Sequence, residues 1–265
     1  MRLPKITCTF LSSALLLILL FTSTGHADNS KSQFAFVFNS SRNPNPATFS
    51  LYGNHPLNQA VKLLHVSSNN ICDAVTQKQE VFNDEVVSFP ITVLKTISKC
   101  EAPTRYAVAF FGKISEYRVV SQQTVTDQEF TNSLDKAIRE SSVLQTFKEA
   151  TQTTRGIIPY DKEFPLNYFT PKIYRFSISN RDIYLVSYQK DEQHSFGPKF
   201  IVLDGRPQIL TGWCSYPNVR AFILNQEQYF ESGSGCCDCG ITVMELFKIE
   251  ADRVRLVHGD SSESD

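Results

Sequence analysis

From about residue 173 to residue 258 the chain runs in short apolar segments that alternate at period two. Turn residues such as Ser179-Asn180-Arg181-Asp182 and Asp204-Gly205-Arg206-Pro207 cut them apart. A two-residue period puts every second side chain on one face of an extended strand, so this stretch buries itself as sheet and not as helix. The spacing predicts strands at about 173–179, 182–190, 198–204, 207–211, 219–225, 227–232, 241–249 and 253–258. Twenty Phe and ten Tyr suit pleated, half-buried surfaces. The aromatic alternation reads as core on one face and ordinary sheet surface on the other, and not as a carbohydrate or peptide surface.

The N-terminal half is mixed. Gln33-Phe34-Ala35-Phe36-Val37-Phe38 places three Phe on one strand face. Further strands are expected at 60–66, 86–97, 106–111 and 117–120. Thr126 then precedes Asp127-Gln128-Glu129 in a capping-box pattern. Phe130, Leu134, Ala137, Ile138, Leu144 and Phe147 recur at helical spacing, which predicts one long amphipathic helix over 127–149. Pro159, Pro165 and Pro171 mark a linker over 151–172. The expected fold class is therefore mainly antiparallel β. An α+β module spans 28–150 and a β-meander module spans 173–259. Residues 260–265 hold nothing apolar and are expected to be disordered.

The meander contains an internal echo. Arg175, Ile178, Asn180, Tyr184 and Ser187 recur as Arg220, Ile223, Asn225, Tyr229 and Ser232, each 45 residues on. Ile201 and Leu203 fall opposite Leu246 and Lys248, a poorer match. Four strands per unit at this period resembles a propeller blade. Two units cannot close a ring, so two packed four-stranded sheets are expected.

Residues 1–27 read as a cleavable export leader. Arg2 and Lys5 precede an apolar run of about a dozen residues, shorter than the roughly 20 that span a bilayer. Gly25-His26-Ala27 forms a small-x-small cleavage site, which makes Asp28 the expected first mature residue. No second long apolar run follows, so no integral membrane segment is expected in the mature chain. The expected localisation is secreted or periplasmic. The mature segment keeps 24 basic residues against 27 acidic, a net charge of −3. That balance makes no case for nucleic acid as a partner.

Six cysteines remain once Cys8 is set aside, an even number that suits a disulfide framework outside the cytoplasm. Cys72 and Cys100 lie together in the first half and are expected to pair. Cys214, Cys236, Cys237 and Cys239 lie together in the second. Gly233, Gly235 and Gly240 bracket that cluster, and a stapled turn there would fix a rigid surface site. The alternative is a thiol or metal site on the same four sulfurs, although adjacent cysteines fit zinc spacing poorly.

No catalytic constellation stands out. His55, His65, His194 and His258 have no paired metal spacing. Gly233-Ser234-Gly235 lacks the nucleophile-elbow pattern. Trp213-Cys214 with His194 or His258 reads more simply as a disulfide half beside an aromatic. His65, at the end of an apolar strand, reads as a hydrogen-bonded structural histidine. The sequence thus points to an exported, non-enzymatic binding or interaction protein with no cofactor. Its partner would be a protein or small ligand outside the cytoplasm, of unknown identity. An envelope thiol- or metal-binding protein is the alternative.

Overall fold

The computed structural model describes residues 33–38, 49–83, 88–144, 169–178, 181–189, 199–211, 215–235 and 242–262. Residues 1–27, read above as an export leader, with Cys8 among them, and most of the expected linker over 151–172 lie outside them. So do His194, Trp213, Cys214, Cys236, Cys237 and Cys239. The described residues are mostly antiparallel β, as the alternation requires.

The first six strands are β1 (Phe34–Phe36), β2 (Phe49–Tyr52), β3 (Ala60–His65), β4 (Ile71–Asn83), β5 (Ser88–Thr96) and β6 (Tyr106–Phe110). They form one sheet in the order β1-β6-β3-β4-β5-β2. A bridge between Val37 and Leu51 joins the last strand to the first and closes the sheet into a barrel. Ala35, Val37, Leu51, Val61, Leu63, Ala74 and Ala109 fill its interior. Phe49, Leu94 and Tyr106 complete this core, so small and large side chains together fill the barrel.

The next segment is shared between two sheets. β7 (Tyr117–Val120) pairs with β13 (Ser215–Leu224), and β8 (Gln122–Thr124) pairs with β9 (Thr170–Ile178). One sheet has the order β12-β11-β10-β9-β8, with β10 (Arg181–Gln189), β11 (Lys199–Leu203) and β12 (Arg206–Thr211). The other has the order β16-β15-β14-β13-β7, with β14 (Glu227–Gly235), β15 (Thr242–Ile249) and β16 (Val254–Ser262). Residues 117–124, which the sequence grouped with the N-terminal module, therefore pair with the C-terminal sheets.

Three apolar interfaces stack these parts into four layers. Phe34, Phe36 and Val108 of the barrel meet Phe222, Tyr229 and Leu246. The other face of that sheet meets its neighbour through Phe176, Ile183, Leu185, Ala221 and Phe230, with the Phe176 and Phe230 rings edge to face at 4.8 Å. The far face of the second sheet, including Val186, Tyr188 and Phe200, is covered by Ile138 and Leu144.

Ile138 belongs to α1 (Gln128–Arg139). The expected single helix over 127–149 is corrected here: α1 stops at Arg139. Ser141 accounts for the break, because its Oγ donates to the Ile138 carbonyl and accepts from the Leu144 N–H. A serine that caps both ways ends one turn and starts another. The cap is Asp127 and not Thr126; its carboxylate accepts from the Phe130 N–H at 3.0 Å.

Other expectations also change. β2, β4 and β8 escape the alternation. The outer half of β4 is exposed and polar, so period two carries no apolar signal there. Residues 260–262, expected to be disordered, complete β16, since pairing with Thr242–Met244 uses backbone groups and needs no apolar side chain. Thr170–Lys172 of the expected linker begin β9. Pro171 sits there because β8 pairs only with residues 174–176 and leaves that stretch of β9 as an edge.

The internal echo corresponds to two four-stranded units, β9–β12 and β13–β16, which face each other as a sandwich. Their inward residues match at an offset of 45 in the first strands, where Tyr174, Phe176 and Ile178 answer Val219, Ala221 and Ile223. In the third strands the offset becomes 46: Ile201 and Leu203 answer Phe247 and Ile249. The sequence alignment of Ile201 with Leu246 therefore fails, because one residue of slip moves a side chain to the opposite face.

Candidate functional site

The meander turns at two ends. At one end lie the hairpin tips after β11, β13 and β15, with the strand ends Ile178 and Arg181. At the other lie the strand ends that flank the cysteine cluster. The two ends carry different chemistry.

The tip after β13 is a two-residue turn, since Leu224 pairs with Glu227. Asn225 and Gln226 both have positive φ, 52° and 69°. Such primed turns match strand twist and favour Asn-Gly or Asp-Gly. The tip after β11 follows that rule with Asp204 and Gly205, at 48° and 76°. Gln226 departs from it, and a side chain in this region costs about 1 kcal/mol or more. Asn225 holds the turn in place. Its Oδ1 accepts from the Ser115 N–H at 2.7 Å and the Ser115 hydroxyl at 3.0 Å, and its Nδ2 donates to the Lys113 carbonyl at 2.9 Å.

A groove of about 360 Å³ opens between these tips, within the range of small-ligand sites. Beneath it lie Ile178 and Ile249, the last core residues of the two facing sheets, both buried. Gln226, Glu227 and Gln228 form one wall, and Arg181, Lys248 and Glu250 stand around the rest. The rim charges are engaged. Arg181 grips Asp204 with two nitrogens at 3.0 and 2.6 Å and also donates to the Glu250 carbonyl. Lys248 lies 2.9 Å from Glu227. Glu250 accepts from Arg255 and Arg253, and those hydrogen bonds hold its carboxyl down at about 2.

Two cross-sheet straps fix the walls. Arg181 reaches Glu250 from one sheet to the other. Gln208 donates to the Asp252 carbonyl and accepts from the Val254 N–H, both at 2.8 Å. A groove whose walls are already tied loses little entropy when it is filled.

The opposite end of the sandwich carries a polar quartet of three buried residues and the half-buried Glu245. Ser187 pairs across strands with Lys199, and Ser232 pairs with Glu245. Ser187 and Ser232 are repeat mates, and both hydroxyls are buried with no hydrogen-bond partner among the described residues. Lys199 is fully buried. Burial pushes its amine down to about 7, opposed by the charge of Glu245. Burial likewise pushes the Glu245 carboxyl up to about 7, opposed by Lys199.

Cys72 and Cys100 are bonded, with Cα atoms 5.3 Å apart. The other four candidate cysteines lie outside the described residues. The strand ends beside them (Thr211, Ser215, Gly235 and Thr242) are at the quartet end. Gly233 and Gly235, expected in a turn, lie in β14 opposite Met244 and Thr242. His65 is structural as expected: its Nδ1 accepts from the Ser67 and Ser68 N–H groups, both at 3.1 Å. His258 packs on Phe36 between barrel and sheet, and burial holds it down at about 4. Among the described residues no group of three or more His, Cys, Asp or Glu could hold a metal ion, and no helix is long and apolar enough to cross a membrane.

The sequence reading missed the groove. Its walls come from turns some 25 to 70 residues apart, and only the sheet packing brings them together. The one local signal was Gln in the second position of a two-residue turn. Comparison with protein-family models, with curated proteins and with solved structures finds no match to this chain.

Proposed function

We propose that this is an exported, disulfide-stabilised binding protein that acts without catalysis and takes its ligand in the groove at the hairpin tips. The observation that carries the reading is the groove itself: ligand-sized, set between the two facing sheets and strapped from both. Its walls offer amides and charges held by partners, the kind of groups that orient a bound ligand. Export rests on the leader-like residues 1–27, and the Cys72–Cys100 bond is compatible with an oxidising compartment.

The test is to express the full chain in a bacterial host and recover it from the periplasm or medium. A mature N-terminus at Asp28 is expected. A small-molecule panel is then screened by thermal shift, and each stabilising compound is re-examined by mass spectrometry after prolonged incubation. Recovery of the stabilising compound unchanged supports the reading. Its conversion to product, or a chain retained in the cytoplasm with Met1 in place, overturns it.

A further inference from the structure

We propose that the outer half of β4 is a self-association edge, along which a second copy of this chain lays its own β4 antiparallel to form a two-fold dimer. The edge belongs to the barrel, and the inference is independent of the groove.

The backbone leaves this edge open. β3 lies beside β4 only from Ile71 to Val75. The last bonds on that side join Thr76 to the chain just before β3: Asn58 N–H donates to the Thr76 carbonyl, and Thr76 N–H donates to the Gln59 carbonyl. On its other side β4 is followed by β5 as far as Asn83. The chain ahead of Asn58 does not run along the edge. It crosses the sheet face, where His55 N–H donates to Thr92 Oγ1 and the His55 carbonyl accepts from the Gln79 side chain, and it turns at Asn58 with φ 60°.

The ladder fixes which backbone groups face the open side. Pro90 has no N–H, and its carbonyl accepts from Gly53 N–H, so the Val81–Pro90 pair exchanges no bonds. Bonded and non-bonded pairs alternate in an antiparallel ladder, so Glu80–Ile91 is bonded and Gln79–Thr92 is not. The N–H and C=O groups of Gln79 and Val81 therefore point away from β5. Backbone groups presented in this way are a template for another strand.

The side chains select the second copy and its register. Residues 77–81 are all exposed, and Lys78 and Glu80 form an ion pair along one face of β4. Two identical strands that pair antiparallel share a two-fold axis, which can fall on Gln79, Glu80 or Val81. An axis on Glu80 sets two carboxylates opposite each other. An axis on Val81 sets Glu80 opposite Phe82. An axis on Gln79 sets Lys78 of each copy opposite Glu80 of the other, the one arrangement with opposite charges in both cross-strand positions. Each charge then keeps its partner in its own chain and gains a second, in a ring of four alternating charges. This register also lays Val81 against Gln77 of the other copy, beside the turn that carries Leu57. Leu57 and Val81, 47% and 60% exposed, are two of the three exposed large apolar side chains among the described residues. A two-fold pairing consumes the edge of both copies, so association stops at the dimer. The paired stretch is short against the roughly 20–30 residues a side of a stable interface, which puts the dimer in the weak, transient class.

The experiment is sedimentation equilibrium on the full chain as purified, from about 10 µM to about 1 mM protein. The parent is expected to dimerise reversibly in this range. Lys78→Glu sets carboxylates opposite each other at both ends of the pairing, and Glu80→Lys sets ammonium groups opposite each other. Each variant alone should weaken dimerisation at least about tenfold. A one-to-one mixture of the two restores opposite charges and should dimerise as the parent does. Both side chains are exposed, so melting temperatures should match that of the parent. If either variant melts early, the double variant Lys78→Glu with Glu80→Lys decides, because it keeps the ion pair and the complementarity: a dimer supports the inference and a monomer overturns it. A parent that stays monomeric throughout, single variants that dimerise like the parent, or a mixture of folded variants that stays monomeric would each overturn it.

Discussion

At the scale of single residues, Asn225 ties one turn to a distant loop. Asn225 secures the 113–116 loop through three side-chain hydrogen bonds of 3.0 Å or less, and its own N–H donates to the Glu116 carbonyl. Asn225→Ala should therefore cost roughly 2 kcal/mol in urea unfolding, since about 1 kcal/mol per hydrogen bond is partly recovered by water at an exposed site. Asn225→Asp keeps the acceptor and should cost less. A second residue-scale expectation concerns Lys199 and Glu245. The folded carboxyl holds its proton more tightly than the unfolded one, so stability falls as pH rises from about 4.5 to about 7. The folded amine holds its proton less tightly, so stability recovers from about 7 towards 10.5. The unfolding free energy should dip near neutral pH. Lys199→Met combined with Glu245→Gln should remove the dip and raise stability at pH 7 by about 1–4 kcal/mol. A parent profile that matches the double variant across this range would refute the buried pair. Cys72–Cys100 and the structural role of His65 were legible in the sequence because local spacing carries them. The quartet was not. Ser187 and Ser232 were visible as repeat mates, but a hydroxyl on a strand looks the same facing solvent or core.

Among the elements, the segment from β7 to β8 joins the halves of the molecule. It adds a strand to the first member of each repeat unit, β13 and β9, so both four-stranded sheets become five-stranded through one stretch of chain. Sequence could place a strand at 117–120, but not its partners, because pairing with residues some 50 to 100 positions away leaves no local trace. The failure at β4 has a different cause. Its inward residues in the first half are Cys72, Ala74 and Thr76, too small or polar to register as an apolar stripe. The disulfide makes an element-scale prediction. It ties β4 to the loop after β5 across 28 residues, and the chain-entropy estimate for such a loop is about 3–4 kcal/mol. Cys72→Ala with Cys100→Ser should lower the denaturation midpoint accordingly. Affinity for a compound that the thermal-shift screen identifies should stay unchanged, because the groove lies on the sandwich and not in the barrel. A parallel loss of affinity would mean that barrel and groove are coupled.

For the whole molecule, four layers share three apolar interfaces: barrel on sheet, sheet on sheet, and sheet on helix. The class of this architecture was readable from period-two alternation, and the facing units from the 45-residue echo. The closure of the barrel and the order of the layers were not, since both depend on which faces meet. That order puts the hairpin tips together at one end, with the groove between the two sheets. The most direct test of this account is an amide chemical-shift titration of the mature protein with a compound that the thermal-shift screen identifies. The account predicts perturbations confined to residues around Ile178, Arg181, Gln226–Gln228 and Lys248–Ala251. Shifts centred instead on Lys199 and Glu245, or spread over the barrel, would contradict it.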